Sequence, residues 1–205
     1  MYTLGINAVF HDSAACILKD GKLLAAAEEE RFTHIKHGKR PIPFSTYELP
    51  YHAINYCLEA AGLHLKDVEH FAYSFDPYLL LGKHAADASL QLPLQPSKTA
   101  KSEEWLSPWD PLFLSYIVNA PLQLTGGYPH HLQKRFKGAK IKEEQWHFVE
   151  HHTAHAVSAY HPSPFSSAAV LTLDGRGEIA TTTYNVGNGD HLTRIGQVNI
   201  LEILF

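Results

Sequence analysis

Two stretches of this chain repeat one order of strands and turns. Residues 3–27 and again residues 168–198 predict a strand, a polar turn, a second strand, a glycine-containing turn and a third strand. The Asp20-Gly21 pair in the first copy and the segment 187–190 in the second are typical hairpin turns. The repetition predicts two antiparallel three-stranded sheets, and this is the strongest constraint on the fold.

Helical periodicity and a fourth strand extend the first copy. From Thr46 to Ala61 apolar residues recur at helical spacing, and Gly62 follows as a stop. Residues 68–75 then predict a strand, and the order β-β-β-α-β places a helix against a mixed sheet. The sequence further predicts a helix over 112–136, a short strand over 146–149 and a helix over 150–160.

Two subdomains are therefore predicted, with residues 1–145 forming the first and residues 146–205 beginning the second. An insert rich in proline and tryptophan, at about 76–110, is expected to contain loops and short helices within the first. The chain has 205 residues, of which 45% are hydrophobic, so it can bury one substantial core and begin another.

The charge and the start of the chain exclude several classes of partner. The net charge of -4 comes from acidic and basic side chains spread along the sequence, so no basic stripe for a phosphate backbone is present. Met1 leads directly into the first predicted strand, and no apolar run is long enough to span a membrane. Cys16 and Cys57 have apolar neighbours typical of buried, reduced thiols. We expect a cytoplasmic protein that binds neither nucleic acid nor a membrane.

The first turn of each repeat carries an acidic residue followed by small ones. These are Asp12-Ser13 in the first copy and Asp174-Gly175 in the second. Small residues let backbone N–H groups approach a phosphate, and a carboxylate can hold a cation that bridges phosphates. Turns favour Asp and Gly for conformational reasons alone, so the repetition carries the argument. It predicts that Asp12 and Asp174 border one nucleotide cleft.

A run of histidines opens the predicted helix over 150–160. His151 and His155 lie four residues apart, so their side chains project from one helical face within reach of one metal ion. His152 and His155, three apart, form a competing pair, and a histidine-rich helix cap without metal is the alternative. Imidazoles suit iron or zinc, and Asp174 is a candidate oxygen ligand that leaves positions open for substrate.

The same region contains the H-x-x-E-H pattern of inverted zinc proteases, from His147 to His151. That interpretation requires one continuous helix across both histidines. Because residues 146–149 predict a strand, we attribute the match to chance.

The turn after the first strand offers a candidate catalytic pair, His11 and Asp12. An imidazole can accept a proton at neutral pH or polarise a carbonyl oxygen, although a solvated turn residue is the alternative. The charged run that follows residue 28 is typical of a solvated face. Lys36 is the cation in it that we select as a contact for an anionic ligand.

Together these segments resemble the nodulation-protein and antibiotic-biosynthesis O-carbamoyltransferases over nearly the whole chain, up to about residue 198. The motifs that carry the resemblance are Leu4-Gly5-Ile6 through His11-Asp12-Ser13-Ala14-Ala15, Glu29-Glu30-Arg31-Phe32-Thr33 with Lys36-His37-Gly38, Val149 through Ala156, and Leu173-Asp174-Gly175-Arg176-Gly177-Glu178.

The resemblance implies an actin-like, ribonuclease-H-type α/β core, similar to the universal tRNA threonylcarbamoyl-transfer protein. The β-β-β-α sheet would be duplicated, and the second copy would be incomplete in this chain. A separate C-terminal domain would make carbamoyl-adenylate from carbamoyl phosphate and ATP, with Mg²⁺ a candidate for the nucleotide. The carbamoyl group would then pass to a small-molecule hydroxyl acceptor, such as a sugar-containing metabolite.

The resemblance also implies roles for individual residues. His151 and His155 would hold iron or zinc, and Asp174 would contact the metal or a phosphate. The turn of His11 and Asp12 would belong to the transfer site. The nucleotide contacts would be Ser13, Lys36, Asp174, Gly175 and Gly177.

One residue departs from many actin-like ATPases, because Asn7 stands where they have an aspartate. Simple ATP hydrolysis of the kinase or chaperone type is therefore the weaker interpretation, and a non-catalytic remnant that keeps metal or nucleotide affinity is another alternative. A homodimer is compatible with the sequence.

The family continues beyond the position of Phe205. We expect this chain alone to be inactive and poorly soluble. A second sheet without its covering helices exposes an apolar face and a strand edge, and residues 200–205 add five large apolar side chains.

Overall fold

The computed structural model of the protein describes residues 1–8, 11–38, 49–81, 114, 117–126, 136 and 139–199. These residues belong to two compact units. One comprises Met1–Tyr73 and Asp87–His147, and the other comprises Ser74–Ala86 and Phe148–Phe205. Each unit contains one of the two predicted sheets.

The first unit is built on a mixed five-stranded sheet. Its strands are β1 (Tyr2–Asn7), β2 (Ala14–Lys19), β3 (Lys22–Glu28), β4 (His70–Tyr73) and β5 (Trp146–Phe148), in the order β3-β2-β1-β4-β5. β1 pairs antiparallel with β2 and parallel with β4. Asp20 and Gly21 join β2 to β3 with φ angles of 50 and 78°, as a two-residue hairpin requires. The predicted mixed sheet is confirmed.

Helices cover this sheet where the sequence has helical periodicity. After the short α1 (Glu30–Thr33) and a 3₁₀ turn at Lys36–Gly38, α2 spans Tyr51–Ala60. Its buried residues include Ala53, Ile54, Cys57 and Leu58, the spacing from which a helix was predicted. Gly62 adopts a φ of 68° just beyond its end. Residues 46–48 of the predicted helix lie outside the described residues.

The second unit places one helix on an antiparallel sheet. After α3 (Pro77–Leu81), the strands β6 (Ser167–Leu173), β7 (Ala180–Asn188) and β8 (His191–Asn199) pair in that order. The helix α5 (His151–Tyr160) precedes them, and its Ala156 and Tyr160 form a small core with Val170. Both predicted three-stranded antiparallel repeats are thus present.

One predicted turn needs correction, and one predicted helix is described only in part. The second hairpin turn is shorter than 187–190, because Gly187 lies within β7. A methyl group on Gly187 would come within 2.3 Å of the Tyr160 ring, so glycine is required there by packing and not by a turn. Within the predicted helix over 112–136, the described residues include the short α4 (Ala120–Gly126). Residues 82–110 of the insert lie outside the described part of the chain.

Among the described residues, no helix is both long enough and apolar enough to cross a membrane.

Candidate metal centre

Three predicted ligands converge at the start of α5. His151 and His155 lie one turn apart on this helix, and Asp174 follows directly after β6. The Nε2 atom of His151 is 2.6 Å from Oδ2 of Asp174 and 3.0 Å from Nε2 of His155. The Nε2 atom of His155 lies 3.3 Å from the same carboxylate oxygen. Three donor atoms therefore form a small triangle.

The size of this triangle fits a metal ion. Ligands about 2.1 Å from a metal and separated by angles near 90° stand about 3.0 Å from one another. The observed separations of 2.6, 3.0 and 3.3 Å bracket that value. Two imidazoles and one carboxylate on one side of a metal leave further positions open, an arrangement that suits iron(II) or zinc.

The charge of Asp174 also suits a ligand. Burial alone raises the pKa of this carboxyl, but hydrogen bonds from the His151 ring and from the backbone N–H of Gly175 lower it below its ordinary value. Asp174 is therefore ionised at neutral pH. Its side chain is 34% exposed, so a ligand from solvent can reach it.

The competing histidine, His152, is engaged elsewhere. It is fully buried, with Nε2 2.9 Å from the carbonyl oxygen of Ala180 and Nδ1 2.7 Å from the hydroxyl of Thr172. A carbonyl can only accept, so Nε2 carries the proton and Nδ1 accepts from Thr172. Both nitrogens are satisfied, and burial lowers the pKa of His152. The donor atoms that converge with Asp174 are therefore those of His151 and His155.

A line of buried hydrogen bonds continues from His152 across the sheet. Since Thr172 donates to His152, its oxygen accepts from Thr183 at 2.6 Å. The oxygen of Thr183 in turn accepts from Nδ2 of Asn185 at 2.9 Å. Because every member has a defined direction, this polar line fixes the rotation of α5 and therefore the face that carries His151 and His155.

Glu178 holds the first turn of α5. It is 1% exposed, and its carboxylate accepts from the backbone N–H of His151 at 2.9 and 3.1 Å and from that of Asp76 at 2.7 Å. A carboxylate at a helix N-terminus satisfies N–H groups that lack partners within the helix. Burial raises the pKa of Glu178 despite these hydrogen bonds. The sequence offered one signal for this role, a second acidic residue in the loop of Asp174.

A partly buried ion pair ties the same turn to β8. Arg194 makes a two-pronged contact with Glu150, through Nη1 at 2.7 Å and through Nη2. The hydroxyl of Thr153 donates to Glu150 at 2.6 Å. Burial by itself raises the pKa of Glu150, but the hydrogen bonds from Arg194 and Thr153 lower it below its ordinary value. This contact was not predicted.

The two loop glycines predicted to approach a nucleotide differ in their surroundings. A methyl group on Gly177 would stand 2.7 Å from Cδ2 of His152, so glycine is needed there for packing. Among the described residues other than its two chain neighbours, no atom lies within 4 Å of the corresponding position on Gly175. Space at Gly175 is compatible with a ligand, and the predicted nucleotide contact at both glycines stays a prediction.

The first unit contains a second cluster of potential ligands, at the turn after β1. Nδ1 of His11 lies 2.6 Å from Oδ2 of Asp12, and Nδ1 of His37 lies 2.8 Å from Oδ1 of the same carboxylate. The hydrogen bond from His37 lowers the pKa of Asp12, against burial, and the bond from His11 adds to it. The predicted pair of His11 and Asp12 is therefore in contact, and His37 is a partner that the sequence analysis missed.

The other predicted residues of this turn have distinct surroundings. Ser13 is 1% exposed, whereas Lys36 is exposed in the 3₁₀ turn. Asn7 donates from Nδ2 to the carbonyl oxygens of Asp12 at 3.0 Å and His11 at 3.4 Å. A carboxylate could not donate to them, which gives a structural reason for the amide at position 7. Asp12 and Asp174 belong to different units, so their shared nucleotide cleft stays a prediction.

The protease pattern does not have the geometry that it requires. His147 lies on β5, and α5 begins at His151. The histidine four residues before His151 is therefore on a strand, where its Nε2 atom is 2.9 Å from Nδ1 of His70. The predicted short strand is confirmed at Trp146–Phe148, so the continuous helix that H-x-x-E-H requires is not formed there.

Comparisons with known proteins cover nearly the whole chain. A family model described as "Carbamoyltransferase N-terminus" matches residues 2–201. The chain is 38% identical over 197 residues to the uncharacterized protein sll1178 of Synechocystis sp., an alignment that covers 94% of this chain and 28% of that protein. It is 33% identical over 183 residues to the nodulation protein NolNO of Sinorhizobium fredii, covering 89% of this chain and 22% of that protein. The chain thus spans about a quarter of the length of these relatives.

Proposed function

The chain belongs to the family of carbamoyltransferase N-terminal domains, and from this we propose that it provides the metal centre and the transfer site of an enzyme that carbamoylates a hydroxyl group. The observation that carries the proposal is the triangle of donor atoms from His151, His155 and Asp174. Such a triangle in a chain of this family supports a transferase that uses a metal ion.

The donor and acceptor in this proposal are those that the family resemblance implies. We propose that carbamoyl phosphate and ATP, with Mg²⁺, form carbamoyl-adenylate in a domain outside this chain. Water would release phosphate and carbamate from carbamoyl phosphate, and a carbamate oxygen would then bond to the α-phosphorus of ATP as pyrophosphate leaves. The acceptor is a hydroxyl of a sugar-containing or similar metabolite. The oxygen of this hydroxyl bonds to the carbamoyl carbon, the bond from that carbon to the AMP phosphate oxygen breaks, and the hydroxyl proton goes to a base.

His151, His155 and Asp174 would hold iron or zinc in the second unit. When bound, the metal supplies positive charge for the carbonyl or phosphate oxygen on which negative charge develops. The protein's own part is to fix the ligand atoms. Glu178 and the buried His152 do so by anchoring the helix on which both histidines lie.

His11 is the proposed base. The carboxylate of Asp12 only accepts, so the His11 ring donates to it from Nδ1 and leaves Nε2 as a free lone pair. The side chain of His11 is 70% exposed, which allows an acceptor hydroxyl to reach it. An oriented imidazole of this kind contributes typically about 10²–10⁴-fold to a proton transfer.

The fold supports an actin-like assignment at the level of its parts. The two repeated antiparallel sheets, each followed or preceded by a helix, agree with the duplicated core that the family resemblance implies. We propose that core for the chain. The cytoplasm, where ATP and carbamoyl phosphate are made and used, is the proposed compartment.

The test uses the full-length natural protein with ATP and carbamoyl phosphate. We expect AMP release that depends on carbamoyl phosphate, and about one iron or zinc per chain by elemental analysis. The double variant His151→Ala, His155→Ala should lose both the metal and the transfer. His161→Ala removes an exposed histidine at the end of the same helix and is the matched control.

Two results would contradict the proposal. Equal metal content in the double variant and in the control would remove the metal centre. Metal binding without any AMP release from carbamoyl phosphate and ATP would indicate a binding module in place of a transferase.

A further inference from the structure

We propose that His37 is a positioning residue, which clamps the carboxylate of Asp12 so that His11 presents an unprotonated Nε2 atom. The inference rests on the proposed role of His11 as the base. From the sequence alone His37 has no assigned role, and its contact with Asp12 is what indicates one.

The Asp12 carboxylate is held from both sides. Oδ2 lies 2.6 Å from Nδ1 of His11, and Oδ1 lies 2.8 Å from Nδ1 of His37. A carboxylate with one oxygen bound can rotate about its last torsion, whereas one with both oxygens bound is fixed in plane and direction. His37 therefore aims the remaining oxygen at His11.

The backbone joins the same two residues. The N–H of Asp12 donates to the carbonyl oxygen of His37 at 3.0 Å, which connects segments 25 residues apart. The N–H of His37 in turn donates to Oε2 of Glu30 at 2.9 Å. Asp12 and His37 both have positive φ angles, of 53 and 63°, which residues other than glycine rarely adopt. A backbone conformation of this kind persists where surrounding contacts hold it in place. Here the contacts that hold it also orient the Asp12 carboxylate.

The tautomer of His11 is what this clamp controls. A neutral imidazole carries one proton, and Asp12 accepts it from Nδ1. A ring that lost this partner would also populate the form protonated on Nε2, which cannot accept a proton from the substrate there. Loss of His37 should therefore act through the proton position on His11, although His37 touches no substrate in this account.

A metal chelate is the competing explanation of the cluster. In the metal centre of the second unit, both histidine nitrogens approach the same carboxylate oxygen. Around Asp12 each imidazole takes its own oxygen, as two separate hydrogen bonds would. The geometry thus favours hydrogen bonding, and the experiment includes metal addition to separate the two.

The experiment compares three variants of the full-length protein. His37→Ala removes the clamp. His37→Asn keeps an amide N–H near the place of Nδ1, so it can still donate to Asp12 while lacking the far nitrogen. His34→Ala is the matched control, because His34 is an exposed histidine three residues away with a similar φ of 55°.

The first readout is nitrogen NMR of histidine side chains, with the His11 signals assigned by a His11→Gln variant. Above the titration range of histidine, we expect His11 to carry its proton on Nδ1 in the parent protein, in His34→Ala and in His37→Asn. His37→Ala should show a mixture with the Nε2-protonated form. The second readout is transfer, where His37→Ala should lower kcat roughly tenfold to a hundredfold with little change in acceptor KM, and His37→Asn should restore most of it.

The outcomes separate this inference from the proposed function. A His11 ring protonated on Nε2 in the parent protein, or an unchanged tautomer in His37→Ala, would overturn the clamp whatever the activity. The expected tautomers without any transfer activity would leave the clamp standing and remove the proposed role of His11. Zinc or iron that binds stoichiometrically and shifts Nδ1 of both His11 and His37 would replace the clamp by a metal site.

Discussion

Replacement of Gly177 by alanine should destabilise the protein, whereas the same change at Gly175 should not. The Cβ of an alanine at 177 would stand 2.7 Å from Cδ2 of His152, 3.2 Å from its Nε2 and 3.0 Å from the carbonyl oxygen of Ala180. The ring must move by about 0.7 Å to reach ordinary contact distance. His152 is fully buried, so the ring cannot relieve the clash by moving into solvent.

The magnitude follows from the hydrogen bonds of that ring. Displacement of His152 breaks its contacts with Ala180 and Thr172, at 2.9 and 2.7 Å, inside a buried region. Each buried group left without a partner costs about 1–3 kcal/mol. The lower entropy of the unfolded chain returns about 0.4–1 kcal/mol for a glycine replaced by alanine. We therefore expect Gly177→Ala to lower the free energy of unfolding by about 3 kcal/mol and Gly175→Ala to change it by less than about 1 kcal/mol.

Urea unfolding of the full-length parent and both variants, followed by circular dichroism, measures these differences. A double variant tests the cause. In a His152→Ala background the ring that clashes is absent and only the contact with the Ala180 carbonyl oxygen at 3.0 Å remains, so Gly177→Ala should cost clearly less. Equal stability of the two alanine variants would refute the packing argument. An undiminished cost of Gly177→Ala without the His152 ring would place the strain elsewhere.

Further outcomes are expected at Cys57, Arg194 and Asn7. Burial and the neighbouring Cys16 raise the pKa of Cys57 to about 11. The alkylation of this thiol at pH 8 should therefore be far slower than in the unfolded chain, and it should accelerate as the pH approaches 11. Mass spectrometry of the labelled peptides measures both rates. The protonated Cys57 thiol also contributes to stability. This contribution is fully present below the pKa of the unfolded thiol, near 9, and is lost as the pH rises through 11. Urea unfolding at each pH should show this loss in the parent protein and not in a Cys57→Ala variant. Arg194→Met leaves the half-buried Glu150 carboxylate without its cationic partner and should cost about 1–3 kcal/mol in urea unfolding. Arg31→Met, whose ion pair is exposed, should cost less than about 0.5 kcal/mol. Equal costs would contradict the assigned burial. Asn7→Asp removes the amide donor that binds the turn after β1 and should lower Tm while hydrogen exchange in that turn accelerates; unchanged exchange would show that the amide is dispensable.

Local patterns predicted the elements of this fold well. The period of apolar residues identified α2, the Asp20-Gly21 pair identified the first hairpin, and the repeat identified the second sheet. These signals are local because helix periodicity and hairpin turns depend on residues within one or two turns of chain. The four-residue spacing of His151 and His155 likewise predicted that they lie on one face of a helix.

Contacts between distant segments explain what the sequence analysis missed. Neither the approach of His37 to Asp12 nor the buried position of His152 has a sequence signal, because each depends on how strands and helices pack. Gly187 illustrates the same limit. In sequence it resembles the start of a Gly-Asn-Gly turn, and only the ring of Tyr160 shows why a side chain is excluded there.

The directional line of hydrogen bonds from Asn185 to His152 has a consequence for the order of events during folding. It joins β7, β6 and α5, so it can form only when all three elements are in place. The triangle of donor atoms that we propose holds a metal depends on the same placement, since Asp174 follows β6 while both histidines lie on α5. Metal should therefore bind only after the rate-limiting step of folding. It should leave the folding rate unchanged and lower the unfolding rate. In stopped-flow experiments that follow the second unit, added zinc or iron should leave the refolding rate unchanged. It should lengthen the lifetime of the native state.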